Sequence, residues 1–263
     1  MIELSRYFLE ALRTDEELIL YRGWSEDDAT RVLVLSPVAE RPRPETLKRL
    51  EHEFSLRDEL NRAWFARPIA IAPHVGRTVL VLDDPGGIPL DQLLGRPLDI
   101  GFSLRLAIRL SIAIDQLHQR GIIHKDIKPA NVLVDATGGN CWITGLGLAS
   151  KLPRERQRPS EPPEFIAGTL AYMAPEQTGR MNRSIDSRSD LYSLGVSLYQ
   201  IFTGTLPFNA SDPMEWVHCH VARTAHCSQG TVSRFAGPCL RCHHEVARQD
   251  RGGPIPNGGR RCE

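Results

Sequence analysis

A run of eleven residues near the middle of the chain carries the side-chain types that a phosphoryl transfer requires. His124–Val134 reads His-Lys-Asp-Ile-Lys-Pro-Ala-Asn-Val-Leu-Val. Such a transfer needs a carboxylate that accepts the proton of the attacking hydroxyl, a cation near the moving phosphoryl group, and an oxygen ligand for a metal ion. Asp126, Lys128 and Asn131 supply these three groups on one short turn. A capping aspartate beside a core histidine is common by itself, so the prediction depends on the whole string.

The same string resembles the catalytic loop of protein kinases, and the lysine at position 128 is the form usual in serine/threonine kinases. The resemblance implies that Asp126 is the catalytic base and that Lys128 stabilises the phosphoryl group. It also implies that Asn131 is a ligand of the magnesium ion that accompanies ATP, and that His124 has a structural role.

Two later segments extend this resemblance in the same order along the chain. Gly168–Glu176 resembles the end of a kinase activation segment, where Thr169 would bridge the catalytic aspartate and lysine and Glu176 would be structural. Asp186–Gly195 resembles the start of the large central helix, where Asp190 would hold the backbone of the catalytic loop. An Ala-Pro-Glu string alone is usually a turn, so the order and spacing of the three segments carry the interpretation.

The first part of the chain predicts a small lobe that is mainly β. Short apolar runs at Leu18–Tyr21 and Val32–Leu35 are typical of strands. Apolar residues at helical spacing predict a helix over Glu45–Leu60. Two further apolar runs, Ile69–Ile71 and Val79–Leu82, predict more strands. A connector then begins at Asp83, since a proline and two glycines follow it within four residues.

The part after the connector predicts a mainly helical lobe. One helical stripe precedes Gly121, and a second one ends before Gly204; the first consists of Leu104, Ala107, Ile108, Ile112 and Leu117. The resulting fold class is α+β, a two-lobed protein-kinase-like fold over residues 17–223. We expect an N-lobe at about 17–83 and a C-lobe at about 88–223 that lacks its last helices.

Several positions depart from what the resemblance requires. Gly145 stands where kinases place the aspartate that binds magnesium, and Val32–Leu35 lacks the expected strand lysine. Glu53 lies where the helix glutamate would be, without that lysine as a partner. Gly23 is the single glycine of the segment read as the phosphate-covering loop. With Asn131, Gly23 and Glu53, the residue Asp83 at the connector completes the predicted nucleotide-binding set. We expect weak or absent binding of ATP and Mg²⁺.

These departures leave two functional interpretations of one fold. The domain is either a serine/threonine protein kinase that acts on a protein substrate, or a pseudokinase that binds a protein signalling partner. Residues 179–186 and 211–218 also resemble the N-terminal kinase-like module of large bacterial signalling proteins. The missing carboxylate, lysine and glycine-rich loop favour the pseudokinase interpretation.

The composition and the hydrophobicity pattern bear on the partners and the cellular location of the protein. The 32 basic residues balance 32 acidic ones, so the charge gives no indication of a nucleic-acid partner. No run approaches the roughly 20 apolar residues of a membrane span, and the start of the sequence has no leader-like pattern. We expect a cytoplasmic protein without a membrane span.

The end of the chain differs in character from the rest. From Thr224 the helical periodicity disappears, and four of the six cysteines lie after this point. Cys239–His243 matches a haem-attachment spacing. Together with nearby histidines, these cysteines could also be zinc ligands. A metal-binding Cys/His module therefore stays as an alternative. We interpret residues 224–263 instead as an aberrant, disordered tail produced by a frameshift near Arg223. Sequencing the gene around that codon tests this hypothesis.

Overall fold

The computed structural model describes residues 3–25, 30–135, 137, 139–151, 169–179, 184–223 and 225. The N-lobe is an antiparallel sheet of five strands in the order β1-β2-β3-β5-β4, with one helix, α1, between β3 and β4. These elements are β1 Tyr7–Thr14, β2 Leu18–Ser25, β3 Arg31–Pro37, α1 Pro44–Ser55, β4 Pro68–His74 and β5 Arg77–Asp83. The small, mainly β lobe predicted from the sequence is confirmed. Its sheet also includes β1, which precedes the boundary predicted at residue 17.

The central strand β3 is apolar along its whole length because both of its faces are covered. Leu33 and Leu35 pack in one cluster with Leu50 of α1, while Val32 and Val34 face a second cluster on the other side of the sheet. A strand with two buried faces reads as a continuous apolar run rather than an alternating one. The helix predicted over 45–60 ends earlier, at Ser55, and a 3-10 turn over Arg57–Glu59 follows it.

The C-lobe is mainly helical in the part that the structure describes. Helix α2 is capped by Asp99, whose side chain accepts a hydrogen bond from Phe102 N at 2.9 Å. Short strands surround the catalytic-loop segment, and two further helices follow. These elements are β6 Ile88–Pro89, α2 Ile100–His118, β7 Ile122–Ile123, β8 Val132–Val134, β9 Cys141–Ile143, β10 Ser150–Lys151, α3 Ser187–Thr203 and α4 Pro213–Ala222. The two-lobed α+β class is thereby confirmed.

Helix α2 buries only part of the apolar stripe identified in the sequence. Its buried residues include Leu106, Leu110 and Ile114, whereas Leu104, Ile108 and Ile112 are exposed by 46%, 60% and 41%. The helix carries apolar side chains on both faces, so periodicity alone does not select the one that meets the core. The predicted stripe is thus only partly buried: Leu117 lies in the core, whereas Leu104, Ile108 and Ile112 do not. These residues form an exposed apolar stripe on the C-lobe.

Helix α3 ends where the chain approaches another segment very closely. Gly204 has φ +79°, and a Cβ atom at this position would lie 2.6 Å from the backbone carbon of Arg96. Only glycine satisfies both the left-handed conformation and this contact. The helix predicted to end at Gly204 is therefore confirmed, and its C-terminus is fixed against the segment that leads into α2.

An ion pair joins the N-lobe sheet to the connector between the lobes. The Arg22 guanidinium in β2 lies 2.7 Å from Asp84 Oδ2 and donates a hydrogen bond to the Gly87 carbonyl at 2.8 Å. Asp84 is fully buried, and its other oxygen accepts a hydrogen bond from Gly86 N at 2.9 Å. A buried carboxylate with several donors holds the connector in one conformation.

The described residues include no helix that is both long enough and apolar enough to cross a membrane. Residue 224 and residues 226–263 lie outside the described part of the chain. The predictions of an aberrant tail, an incomplete C-lobe and a Cys/His module fall on those residues and stay predictions.

The two faces of α2 give a matched stability prediction. Ile114→Ala should lower the free energy of unfolding by about 3 kcal/mol, because it opens a cavity in the fully buried core. Ile108→Ala, the same change on the exposed stripe, should alter it by less than about 0.5 kcal/mol. Urea unfolding of both variants measures the difference. Equal losses in the two variants would contradict the burial seen in the structure.

Candidate catalytic and nucleotide site

The backbone of the catalytic-loop segment is held by one buried carboxylate. Asp190, in the first turn of α3, accepts hydrogen bonds from His124 N and Lys125 N, both at 2.8 Å. His118 Nε2 lies 2.8 Å from the same carboxylate, and Asp190 has no exposed surface. Lys125 has φ +69°, a conformation that costs an L residue energy and needs fixed partners. Asp190 thus links the start of helix α3 to the backbone of the catalytic-loop segment.

His124 is a buried core residue that shapes the loop. Its Nδ1 accepts a hydrogen bond from Asp126 N at 3.2 Å, and its Nε2 lies 3.1 Å from the Thr144 carbonyl. Burial lowers the pKa of His124, so the ring is neutral with its proton on Nε2, the nitrogen that faces a carbonyl. His124 thus lies under the site and orients Asp126 through the backbone.

The three residues predicted to act on a substrate hydroxyl lie together. Lys128 Nζ is 2.9 Å from Asp126 Oδ2 and donates a hydrogen bond to Thr169 Oγ1 at 2.5 Å. Thr169 N donates to Asp126 Oδ1 at 3.3 Å. With the Asn131 amide, also 2.9 Å from Asp126 Oδ2, this carboxylate has three donors and retains room for a fourth. A substrate hydroxyl could be that fourth donor.

A residue that the sequence did not single out ties the loop to the activation segment. Gln177 Nε2 donates to the Lys125 carbonyl at 2.7 Å, and Gln177 Oε1 accepts from Ala174 N at 3.1 Å. Its neighbour Glu176 accepts a hydrogen bond from Ser189 Oγ at 2.6 Å. These hydrogen bonds join the catalytic-loop segment, the activation segment and helix α3.

The predicted metal ligand Asn131 is already in contact with a cation of the chain. Asn131 Nδ2 donates to the carbonyl and to Oδ2 of Asp126, at 2.8 and 2.9 Å. Asn131 Oδ1, the atom that would bind magnesium, accepts a hydrogen bond from Arg13 Nη1 at 2.6 Å. Arg13 Nη1 also donates to the carbonyl of Ala130. The sequence offered no motif around Arg13, which reaches the site from the end of strand β1.

Gly145 faces the same asparagine. It has φ +77°, and a Cβ atom there would lie 2.9 Å from Asn131 Oδ1. A carboxylate at this position would therefore adjoin Asn131, but glycine supplies none. The described residues contain no group of three or more His, Cys, Asp or Glu side chains that could hold a metal ion. Because Mg²⁺ prefers one or two carboxylates, the residues present do not fit it in the expected way.

Glu53 of α1 turns toward the backbone beside Gly145. Its Oε1 accepts a hydrogen bond from Gly145 N at 3.2 Å, and the side chain is almost fully buried. Burial is the largest influence and raises the pKa of Glu53 to about 7, although nearby backbone amides and Arg13 oppose it. In the absence of the strand lysine, Glu53 thus connects α1 to the glycine at position 145.

Gly23 and Asp83, which were also predicted to bind the nucleotide, make their contacts away from Asn131 and Gly145. Gly23 is inside strand β2 and pairs with Leu9 and Val32, and a Cβ atom there would lie 2.9 Å from Leu9 Cδ2. It permits close packing within the sheet, and the interpretation of its segment as the phosphate-covering loop was wrong. Asp83 ends β5 and forms an ion pair with Arg62 at 2.7 Å.

The turn between β1 and β2 occupies the position next to the site. Asp15 Oδ1 accepts hydrogen bonds from Glu17 N and Leu18 N at 3.0 and 2.8 Å, and its Oδ2 lies 3.8 Å from Arg13 Nη2. This turn contains no glycine. The acidic residues 26–28 of the predicted loop lie outside the described residues.

Comparison with known proteins gives consistent matches over the middle of the chain. Residues 77–238 match the protein kinase domain model. Serine/threonine-protein kinase Pkn1 of Myxococcus xanthus is 37% identical over 134 residues, which are 51% of this chain and 19% of that protein. Kinase pkn3 of the same organism is 32% identical over 152 residues, 56% of this chain and 27% of that protein. PknB of Mycobacterium tuberculosis is 38% identical over 109 residues, 41% of this chain and 17% of that protein.

The matched region covers only part of each molecule. The chain spans less than a third of the length of these curated relatives. The domain match begins at the first residue of β5, so it includes Asp126 and Asp190 but neither Arg13 nor Glu53. The cationic contact at Asn131 therefore originates in a part of the chain that the domain match leaves out.

The raised pKa of Glu53 predicts a pH-dependent stability. The folded state keeps the proton up to about pH 7, whereas the unfolded state loses it near pH 4.5, so folding stability falls as pH rises through this window. Glu53→Gln removes this loss. Relative to the wild type, the variant should gain up to about 3 kcal/mol between pH 5 and pH 8.

Urea unfolding at the two pH values measures this gain. Glu51→Gln, an exposed position on the same helix, is the matched control and should show no such change. A wild type and a Glu53→Gln variant with parallel pH profiles would contradict the burial argument.

Proposed function

Because the chain belongs to the protein kinase domain family, we propose that it is a serine/threonine-kinase-like signalling domain of the pseudokinase type. It contacts a protein partner through the kinase fold and transfers phosphate from ATP slowly or not at all. The bacterial relatives support a bacterial signalling role. We place this role in the cytoplasm, where kinases obtain ATP.

The contact between Arg13 and Asn131 carries this proposal. An efficient kinase uses the asparagine oxygen and an aspartate to hold magnesium at the phosphates. Here the asparagine oxygen accepts a hydrogen bond from a guanidinium at 2.6 Å, and the aspartate position is Gly145. A magnesium ion would have to displace the Arg13 guanidinium from Asn131. It would then find the Asn131 amide oxygen as a ligand but no carboxylate at position 145.

The size of the expected defect follows from the groups that are absent. Loss of one well-placed group that stabilises transition-state charge costs roughly a hundred- to a thousandfold in rate. The carboxylate at position 145 and the strand lysine are two such groups. Their combined loss would reach roughly ten-thousandfold to a millionfold if the two effects multiplied, although groups that act together are often non-additive.

A second candidate function is a slow serine/threonine kinase, and one observation favours it. Asp126, Lys128 and Thr169 lie within 2.5 to 3.3 Å of one another in a partly buried arrangement. In such an enzyme Asp126 would accept the proton of the substrate hydroxyl, and Lys128 would stabilise the phosphoryl group. Asn131 and Thr169 would orient these two side chains.

A substitution at the base separates the two candidates. For a pseudokinase, Asp126→Asn should leave transfer to a generic serine/threonine protein substrate at the same background level as the wild type. The measurement is incorporation of labelled phosphate from ATP with Mg²⁺. Asp115→Asn, on the exposed side of α2, is the control. Wild-type transfer that falls by about a thousandfold in Asp126→Asn alone would establish the slow kinase instead.

Restoring the missing carboxylate gives a rescue prediction. Gly145→Asp alone should not raise Mg²⁺-dependent transfer, because its Cβ would lie 2.9 Å from an asparagine oxygen that Arg13 holds in place. Gly145→Asp combined with Arg13→Ala should raise it, since both obstacles to a magnesium ion are then removed. The same labelled-phosphate assay, run over a series of Mg²⁺ concentrations, measures this. A gain in the single variant that equals that of the double variant would contradict the obstruction by Arg13.

A further inference from the structure

Arg13 is placed as a site cation rather than as a surface arginine. Its side chain is only 10% exposed, and Nη1 is shared between Asn131 Oδ1 and the Ala130 carbonyl. Both acceptors belong to the catalytic-loop segment, beside the carboxylate of Asp126. The guanidinium thus lies against the side-chain oxygen that kinases use to hold magnesium.

The guanidinium also retains an unused donor. Arg13 Nε is buried and has no hydrogen-bond partner among the residues that the structure describes. A buried N–H without an acceptor costs free energy, which a bound acceptor recovers. Within the described part of the chain, Nη2 has one long contact, of 3.8 Å with Asp15 Oδ2. The other oxygen of Asp15 accepts hydrogen bonds from two backbone amides of its own turn. The arginine therefore offers donors to an anion in addition to its bonds with the protein.

Other cations of the N-lobe do not take this place. Arg22 is committed to the buried Asp84, and Arg49 lies 2.7 Å from Glu17. The strand segment Val32–Leu35 has no lysine. Within the described residues, Arg13 and Lys128 are the basic side chains in contact with the catalytic-loop acceptors Asn131 and Asp126.

We infer that Arg13 replaces the magnesium ion as the resident cation of this site, so that the site binds the phosphates of a nucleoside triphosphate without a divalent metal. This inference deepens the proposed function, on which it rests, by naming the ligand form of the same site. A guanidinium pairs well with phosphate oxygens, because its planar donors match them. A divalent ion at Asn131 would be repelled by Arg13 at close range.

The inference is tested by nucleotide binding rather than by transfer. Calorimetry on the full chain compares ATP in EDTA, ATP with excess Mg²⁺, and adenosine. The wild type should bind ATP in EDTA at least as tightly as with Mg²⁺. Arg13→Ala should weaken binding of metal-free ATP by roughly ten- to a hundredfold, the usual range for a charged hydrogen bond. It should leave the binding of adenosine unchanged.

Two further variants keep the result interpretable. Arg13→Lys retains the charge but loses the planar fork, so it should recover only part of the affinity. Arg6→Ala, an exposed arginine near the start of the same strand, should behave as the wild type. Urea unfolding of each variant shows whether a loss of ATP affinity comes from misfolding. If Arg13→Ala does not fold, the ATP affinity of Arg13→Lys relative to the wild type tests the inference in its place.

Three outcomes would overturn the inference. The first is that Mg²⁺ strengthens binding of ATP to the wild type by tenfold or more, and the second is that folded Arg13→Ala binds metal-free ATP as tightly as the wild type does. The third is that the wild type binds ATP neither in EDTA nor with Mg²⁺. None of these depends on phosphate transfer. Conversely, phosphate transfer that requires Asp126 would overturn the pseudokinase proposal but would not affect the binding of metal-free ATP. A failure of the proposed function can therefore be distinguished from a failure of this inference.

Discussion

The buried carboxylate of Asp190 is the interaction on which the site depends. It satisfies the amides of His124 and Lys125, and the second of these residues has a left-handed conformation that the chain would not keep without fixed partners. Helix α3 is thus coupled directly to the segment that carries Asp126. Because the buried amide of His124 and the partly buried amide of Lys125 share this acceptor, the loop cannot relax at one position without disturbing the other.

The site has two sides that differ in how completely they are formed. On the hydroxyl side, Asp126, Lys128 and Thr169 satisfy one another at hydrogen-bonding distance. On the other side, Arg13 contacts Asn131, and a glycine stands at position 145, where the resemblance to kinases would place a magnesium-binding aspartate. Asn131 belongs to both sides, since its amide nitrogen contacts Asp126 and its oxygen contacts Arg13. A shift of Arg13 would therefore alter the position of the Asn131 carboxamide and, through it, the hydrogen bond to Asp126.

Asp126, Lys128 and Asn131 could be predicted from the sequence because they lie on one short turn. Thr169 is 41 positions away from Lys128 and 43 from Asp126, and only the resemblance of its segment to a kinase activation segment pointed to it. The contact of Arg13 could not be predicted, since it links residues 118 positions apart and no motif surrounds it. Gly23 was misread for a related reason: a lone glycine permits a loop, but here Leu9 packs against its α-carbon within the sheet. The apolar stripe around Ile108 has the same helical period as the buried face of α2, and only tertiary packing distinguishes them.

Strand β1 delivers Arg13 to the site, and its position in the sheet has a consequence for dynamics. It is one of the two edge strands of the described sheet, paired with β2, and its residues are partly or fully exposed. Edge strands with little buried surface open at a lower free-energy cost than the central strands of a sheet. Fraying of β1 would withdraw the guanidinium while the catalytic loop stayed anchored on α3. The positive charge of the site is thereby coupled to a local unfolding equilibrium, and any partner that pairs with this edge or peels it away would set how often that charge is present.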